Sequence, residues 1–145
     1  GIDWEFVQDN LSSSMKGVLR GLHFQREPFA QGKLVQVIKG KVLDVAEKKK
    51  KNSPTFGQYI SVELSGQNKK QLWIAPGMAH GFLALEDDTI FSYKCTNLYN
   101  PTAEGGLLWN DKDLNIDWKL EENGIKDPIV SEKDAKNVSW QEFVG

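Results

Sequence analysis

The apolar positions along this chain fall in short runs, most of them separated by Gly, Pro, Asn or Asp. QYISVELS (58–65) sets Ile60, Val62 and Leu64 against Tyr59, Ser61 and Glu63, the period of two that a half-buried strand requires. LVQVIKGKVLDVA (34–46) holds two β-branched runs on either side of Lys39-Gly40-Lys41, which predicts a hairpin. KQLWIAPGMAHGFLALE (70–86) divides into two apolar runs at Pro76-Gly77, and TIFSYKCT (89–96) supplies a further strand. No window before residue 110 shows a capped helical period. Short strands at close spacing predict a mainly β fold, a sandwich or barrel of the jelly-roll kind. Near the end, Ser131 ahead of Glu132-Lys133-Asp134 reads as a helix start, so SEKDAKNVSWQEF (131–143) is expected to be helical over a short length.

Composition narrows the class. With 145 residues and no internal repeat, the chain 1–145 reads as one domain able to bury its own core. A net charge of −2 gives no reason to expect a nucleic-acid partner. No apolar run approaches the ~18 residues of a membrane span, and no secretory pattern opens the chain. Cys95 is the single cysteine, which excludes an internal disulfide and fits a reducing cytoplasm. The run EKKKKN (47–52) reads as a solvated loop between strands.

Two histidines stand out because imidazole moves protons near neutral pH. His23 lies in VLRGLHFQ (18–25), three residues after Arg20, and His80 lies in APGMAHGF beside a Pro-Gly turn. Each alone is equally a hydrogen-bonded structural residue. His23 is followed by Phe24 and Gln25, so the His-x-His pair of metal-binding jelly rolls is absent, and two histidines with one cysteine are too few for a usual zinc set. No metal and no cofactor are expected. GKLVQVIKGK has neither the P-loop nor the dinucleotide spacing.

VLRGLHFQ, AQGKLVQVIKGKVLDVA, SPTFGQY, QLWIAPGMAHGF, YKCTNLYNP, LLWNDKDLNIDW and SEKDA follow one another in an order that resembles the dTDP-4-dehydrorhamnose 3,5-epimerases, over roughly residues 8–136. The resemblance implies a cupin-like jelly roll, a homodimer, and metal-free inversion of C3 and C5 in a dTDP-4-keto-6-deoxyhexose on the way to activated L-rhamnose for cell-surface polysaccharide. By motif position it implies His23 as base, Asp134 as the carboxylate that orients it, Lys33 as the cation facing the enolate oxygen, and Tyr93 as the opposite-face acid. Arg20 and His80 would line the sugar and phosphate pocket, with Asp44 as partner to His80; Gln31, Tyr99 and Trp109 would contact the sugar nucleotide. A C3-only epimerase would need the same base and enolate site. A related ketoisomerase would carry further histidine after the Arg-Gly pair, where Phe24-Gln25 stand here, and a non-catalytic sugar-binding jelly roll is the alternative from another class.

Three departures from the family pattern are visible. The family carries a further N-terminal stretch that helps hold the nucleotide base in the neighbouring subunit, and this chain is expected to lack it. Leu11 stands where a histidine is common, and EKKKKNSPTFG replaces an acidic-then-arginine approach to SPTFG.

Overall fold

The computed structural model describes residues 4–48 and 58–144. The lysine run from Lys49 onward, with its expected solvated loop, lies outside the described residues. Among the described residues, two sheets face one another. One runs β1(Gln8–Ser14), β8(Thr89–Cys95), β3(Lys33–Lys39), β6(Gln71–Ile74), with every neighbouring pair antiparallel. The other runs β10(Ile129–Val130), β2(Val18–Gln25), β7(Met78–Ala84), β4(Lys41–Lys48), β5(Tyr59–Ser65), with the short β9(Glu104–Gly106) also on β2. A four-residue helix, α1(Glu132–Ala135), and α2(Trp140–Val144) close the described chain, so the expected C-terminal helix is two helices broken between 136 and 139.

The expected hairpin at Lys39-Gly40-Lys41 does not form. β3 pairs with β6 and β8 in one sheet, whereas β4 pairs with β5 and β7 in the other. The chain turns the corner between sheets at Gly40, whose φ of +89° suits glycine, and a Cβ there would lie 2.8 Å from the Thr89 Cα. Pro76-Gly77 is a second such corner, joining β6 of the first sheet to β7 of the second. An apolar run shows that a strand exists; it does not show which strand lies beside it.

The centre of the second sheet, β4 and β7, is buried on both faces. Val42, Ala46, Leu64 and Phe82 meet Val35, Val37, Ile74 and Phe91 of the opposite sheet. On its outer face Leu43, Val45, Ala79 and Leu83 pack under Leu107, Leu114, Trp118 and Ile125 of the C-terminal segment. β4 and β7 therefore read as continuous apolar runs without a polar alternate face. Polar residues facing the space between the sheets stand out against that background, and they build the site.

Candidate active site

β2 carries the central residue. Its register with β7 pairs Arg20 with Phe82 and His23 with His80, so β2 advances three residues while β7 advances two. That bulge inserts one residue and turns Arg20 and His23 to the same side, where strict alternation would have put them on opposite faces. Gly21 makes it fit: its φ is +126°, and a Cβ there would lie 2.6 Å from the Gly81 Cα across the ladder. Leu19, Leu22 and Phe24 meanwhile pack on the outer core.

His23 is held by α1. Its Nε2 lies 2.6 Å from Asp134 Oδ1, and the other oxygen, Oδ2, accepts the Gly21 N–H at 3.0 Å. Asp134 sits in α1 because Ser131 caps the helix, its hydroxyl accepting the Asp134 N–H. Burial pushes the Asp134 carboxyl up, but the hydrogen bonds from His23 and Gly21 and the nearby positive charge of Lys133 outweigh it and hold its pKa below the ordinary value. An ionised Asp134 fixes the proton on Nε2 and leaves Nδ1 as the basic nitrogen.

Lys33, Tyr93, Gln31 and Tyr99 share one cavity of about 210 Å³ with His23. Lys33 opens β3, opposite Ile74 and Cys95, and its Nζ lies 5.6 Å from the centre of the Tyr93 ring. Desolvation pulls its pKa below the usual lysine range, against the pull of Cys95, Asp44 and Glu104. Burial raises the Tyr93 phenol, with Arg20 opposing, so this group keeps its proton at neutral pH. Gln31 donates to the Asn97 carbonyl at 2.8 Å and helps fix that wall.

His80 and Asp44 form a second, deeper pair, Nε2 to Oδ1 at 2.8 Å, with His80 stacked on Phe91. Desolvation pushes Asp44 up and His80 down, each opposed by the attraction and hydrogen bond of the other. Arg20 lies past His23, lining a neighbouring cleft with Ser131 and Lys133. The structure does not bring Trp109 to this cavity: its carbonyl accepts the Trp118 indole N–H at 2.8 Å, and it borders a separate cleft formed by the C-terminal segment. Leu11 points outward on β1, 68% exposed.

Four polar cavity residues went unread in the sequence, Gln8, Asn10, Gln25 and Glu104, along with the apolar Phe24. Gln25 had a signal, since it lies two residues beyond His23 and shares its face. Buried, it donates to the Phe29 carbonyl at 2.7 Å and accepts the Asn100 N–H at 2.9 Å, clamping the loop that carries Tyr99. Among the described residues, no three His, Cys, Asp or Glu side chains converge as metal ligands would.

A jelly roll whose inner cavity gathers an imidazole–carboxylate pair, a desolvated ammonium and a protonated phenol defines an enzyme built for acid–base chemistry on a polar ligand. The comparisons give the family. The family model described as dTDP-4-dehydrorhamnose 3,5-epimerase matches residues 1–142. The chain is 52% identical to the dTDP-4-dehydrorhamnose 3,5-epimerase of Shigella flexneri over 140 residues, 97% of this chain and 73% of that one. It is 54% identical to the enzyme of that name from Methanothermobacter thermautotrophicus, over 92% of this chain and 71% of the relative. Among solved structures it is similar to the Legionella pneumophila dTDP-6-deoxy-D-glucose-3,5-epimerase in complex with dTDP-4-keto-L-rhamnose, with a TM-score of 0.91 and 46% identity over 99% of this chain and 73% of that chain. This chain belongs to the dTDP-4-dehydrorhamnose 3,5-epimerase family, and the protein is an isomerase of the epimerase class.

Proposed function

We propose that the protein inverts C3 and C5 of dTDP-4-dehydro-6-deoxy-D-glucose to give dTDP-4-dehydro-L-rhamnose, without a metal or other cofactor. Both carbons adjoin the C4 carbonyl, so removing either proton yields an enolate. His23 takes the proton through Nδ1, while Asp134 orients the ring and stabilises the imidazolium that forms. Lys33 faces the enolate oxygen; because the cavity desolvates it, its charge acts at full strength on the oxygen where negative charge develops. Tyr93 returns a proton from the other face and is recharged from solvent. Gln31 and Tyr99 meet the sugar from the cavity wall, Arg20 reaches the diphosphate from the adjoining cleft, and the buried His80–Asp44 pair backs the site. The supporting observation is the shared cavity of His23, Lys33 and Tyr93.

Proton NMR of the reaction in D₂O tests this reading. Deuterium at both C3 and C5 is expected; label at C3 alone would make the protein a C3-only epimerase, and no label would leave a sugar-binding jelly roll. The same reading has the protein acting as a cytoplasmic homodimer. Val7, Leu11 and Met15, each 47% exposed or more on or beside the edge strand β1, support a covered face there. A monomer mass by light scattering would remove the dimer.

A further inference from the structure

We propose that Glu104 is a positioning residue that locks the helix holding Asp134 to the cavity wall holding Tyr99, a role resting on the epimerase reading above. Its carboxylate receives two donors from separate segments. Lys133 Nζ reaches Oε1 at 2.6 Å, and the Tyr99 hydroxyl donates to Oε2. Glu104 itself is fixed in β9, opposite Gln25 of β2, while Gly106 of the same strand lies opposite His23.

The arrangement matters because α1 is four residues long. A single helical turn has no stability of its own and keeps its place only through tethers. Two such tethers are the bonds that Asp134 accepts from His23 and Gly21 and the one that Lys133 donates to Glu104, while the Ser131 cap closes the helix's own first turn. Lys133 precedes Asp134 directly, so its anchor on β9 holds the helix one residue from the carboxylate that orients His23. The opposite arm places Tyr99, whose N–H is also held by Gln8 at 2.8 Å. Lys133 is 68% exposed and an ion pair there adds little to global stability; Glu104, 14% exposed, is nevertheless where both arms meet. The hydrogen bonds from Lys133 and Tyr99 keep Glu104 below the ordinary carboxylate range against the opposing push of burial, so the hub stays charged at working pH. One carboxylate thus keeps the base's orienting group and the sugar-facing phenol in one frame.

Glu104→Gln keeps the shape and weakens both arms. Steady-state kinetics on the dTDP-4-keto sugar, with dTDP affinity by calorimetry and folding by circular dichroism, should show kcat lowered about 10- to 100-fold, the scale of an ångström-sized misplacement. dTDP affinity should change less than about threefold, while KM for the keto sugar rises alongside the fall in kcat because Tyr99 is among the sugar contacts. Tyr99→Phe added to Glu104→Gln should lower kcat no further than about twofold, because the arm is already lost. An unchanged kcat, a loss confined to KM, or fully multiplicative effects of the two substitutions would overturn the proposal. If Glu104→Gln does not fold, Lys133→Met and Tyr99→Phe, singly and together, carry the same kinetic test. A wild-type protein that exchanges no proton would instead sink the epimerase reading, and this role with it.

Discussion

Glu47 is buried where no carboxylate is comfortable. It stands on β4 opposite Ala79 and Tyr59, 0% exposed, and neither carboxylate oxygen has a hydrogen-bond partner among the described residues. Period two places it on the face of Leu43 and Val45, toward the outer core. With no donor to offset desolvation, its pKa rises from 4.5 to about 8. The folded protein therefore keeps a proton that the unfolded chain releases. Stability falls as pH climbs above 4.5 and levels off beyond about 8. Relative to a neutral side chain of the same shape, the cost is about 1 kcal/mol at pH 5, about 3 kcal/mol at pH 7 and about 5 kcal/mol at pH 9. Glu47→Gln supplies that neutral shape and leaves an equally unpartnered polar end, so it isolates the charge. Urea unfolding of both proteins at one protein concentration and at pH 5, 7 and 9 measures the gap. The variant should be nearly matched with wild type at pH 5 and well ahead by pH 9, with a melting point roughly 10 °C higher at pH 7. Two stability curves running parallel across this range would refute the reasoning, because they would mean that Glu47 finds a charged or donor partner.

Two further outcomes follow from the geometry. Lys33→Met should lower kcat by about 10²-fold or more while KM moves little, because the oxygen charge it meets develops only along the reaction; a loss confined to KM in steady-state kinetics would make Lys33 a ground-state contact. Gly21→Ala should destabilise the protein by more than about 2 kcal/mol in chemical unfolding, since the new methyl meets the β7 backbone and the φ of +126° is hostile to a side chain; wild-type stability would mean the bulge relaxes freely.

Much of the candidate site was legible because its residues sit inside compact motifs. RGLH, QGKLV and SEKDA each carry a residue of the proposed machinery, and their order along the chain pointed to the family. Local pattern failed where the answer depended on a partner strand. Lys39-Gly40-Lys41 looks like a hairpin because two β-branched runs flank a glycine, yet the sandwich uses that glycine to change sheets. Arg20 and His23 are an odd number apart, and only the bulge opposite His80 and Phe82 places them together. Trp109 sits in a family motif, but its segment roofs the outer core and leaves the cavity to others. Glu104 left no local trace because its meaning lies in two donors, from Tyr99 and Lys133, that only the fold brings to it.

Solvent exchange into the dTDP-4-keto sugar by a His23→Asn protein bears most directly on the chemistry. Asparagine keeps a polar group near the place of Nδ1, falls short of Asp134, and removes the basic nitrogen. With His23 as the base, deuterium incorporation at C3 and C5 in D₂O should fall by at least about 10²-fold while dTDP still binds. Incorporation at the wild-type rate would contradict the account, for the proton would then be leaving by a route in which this imidazole has no part.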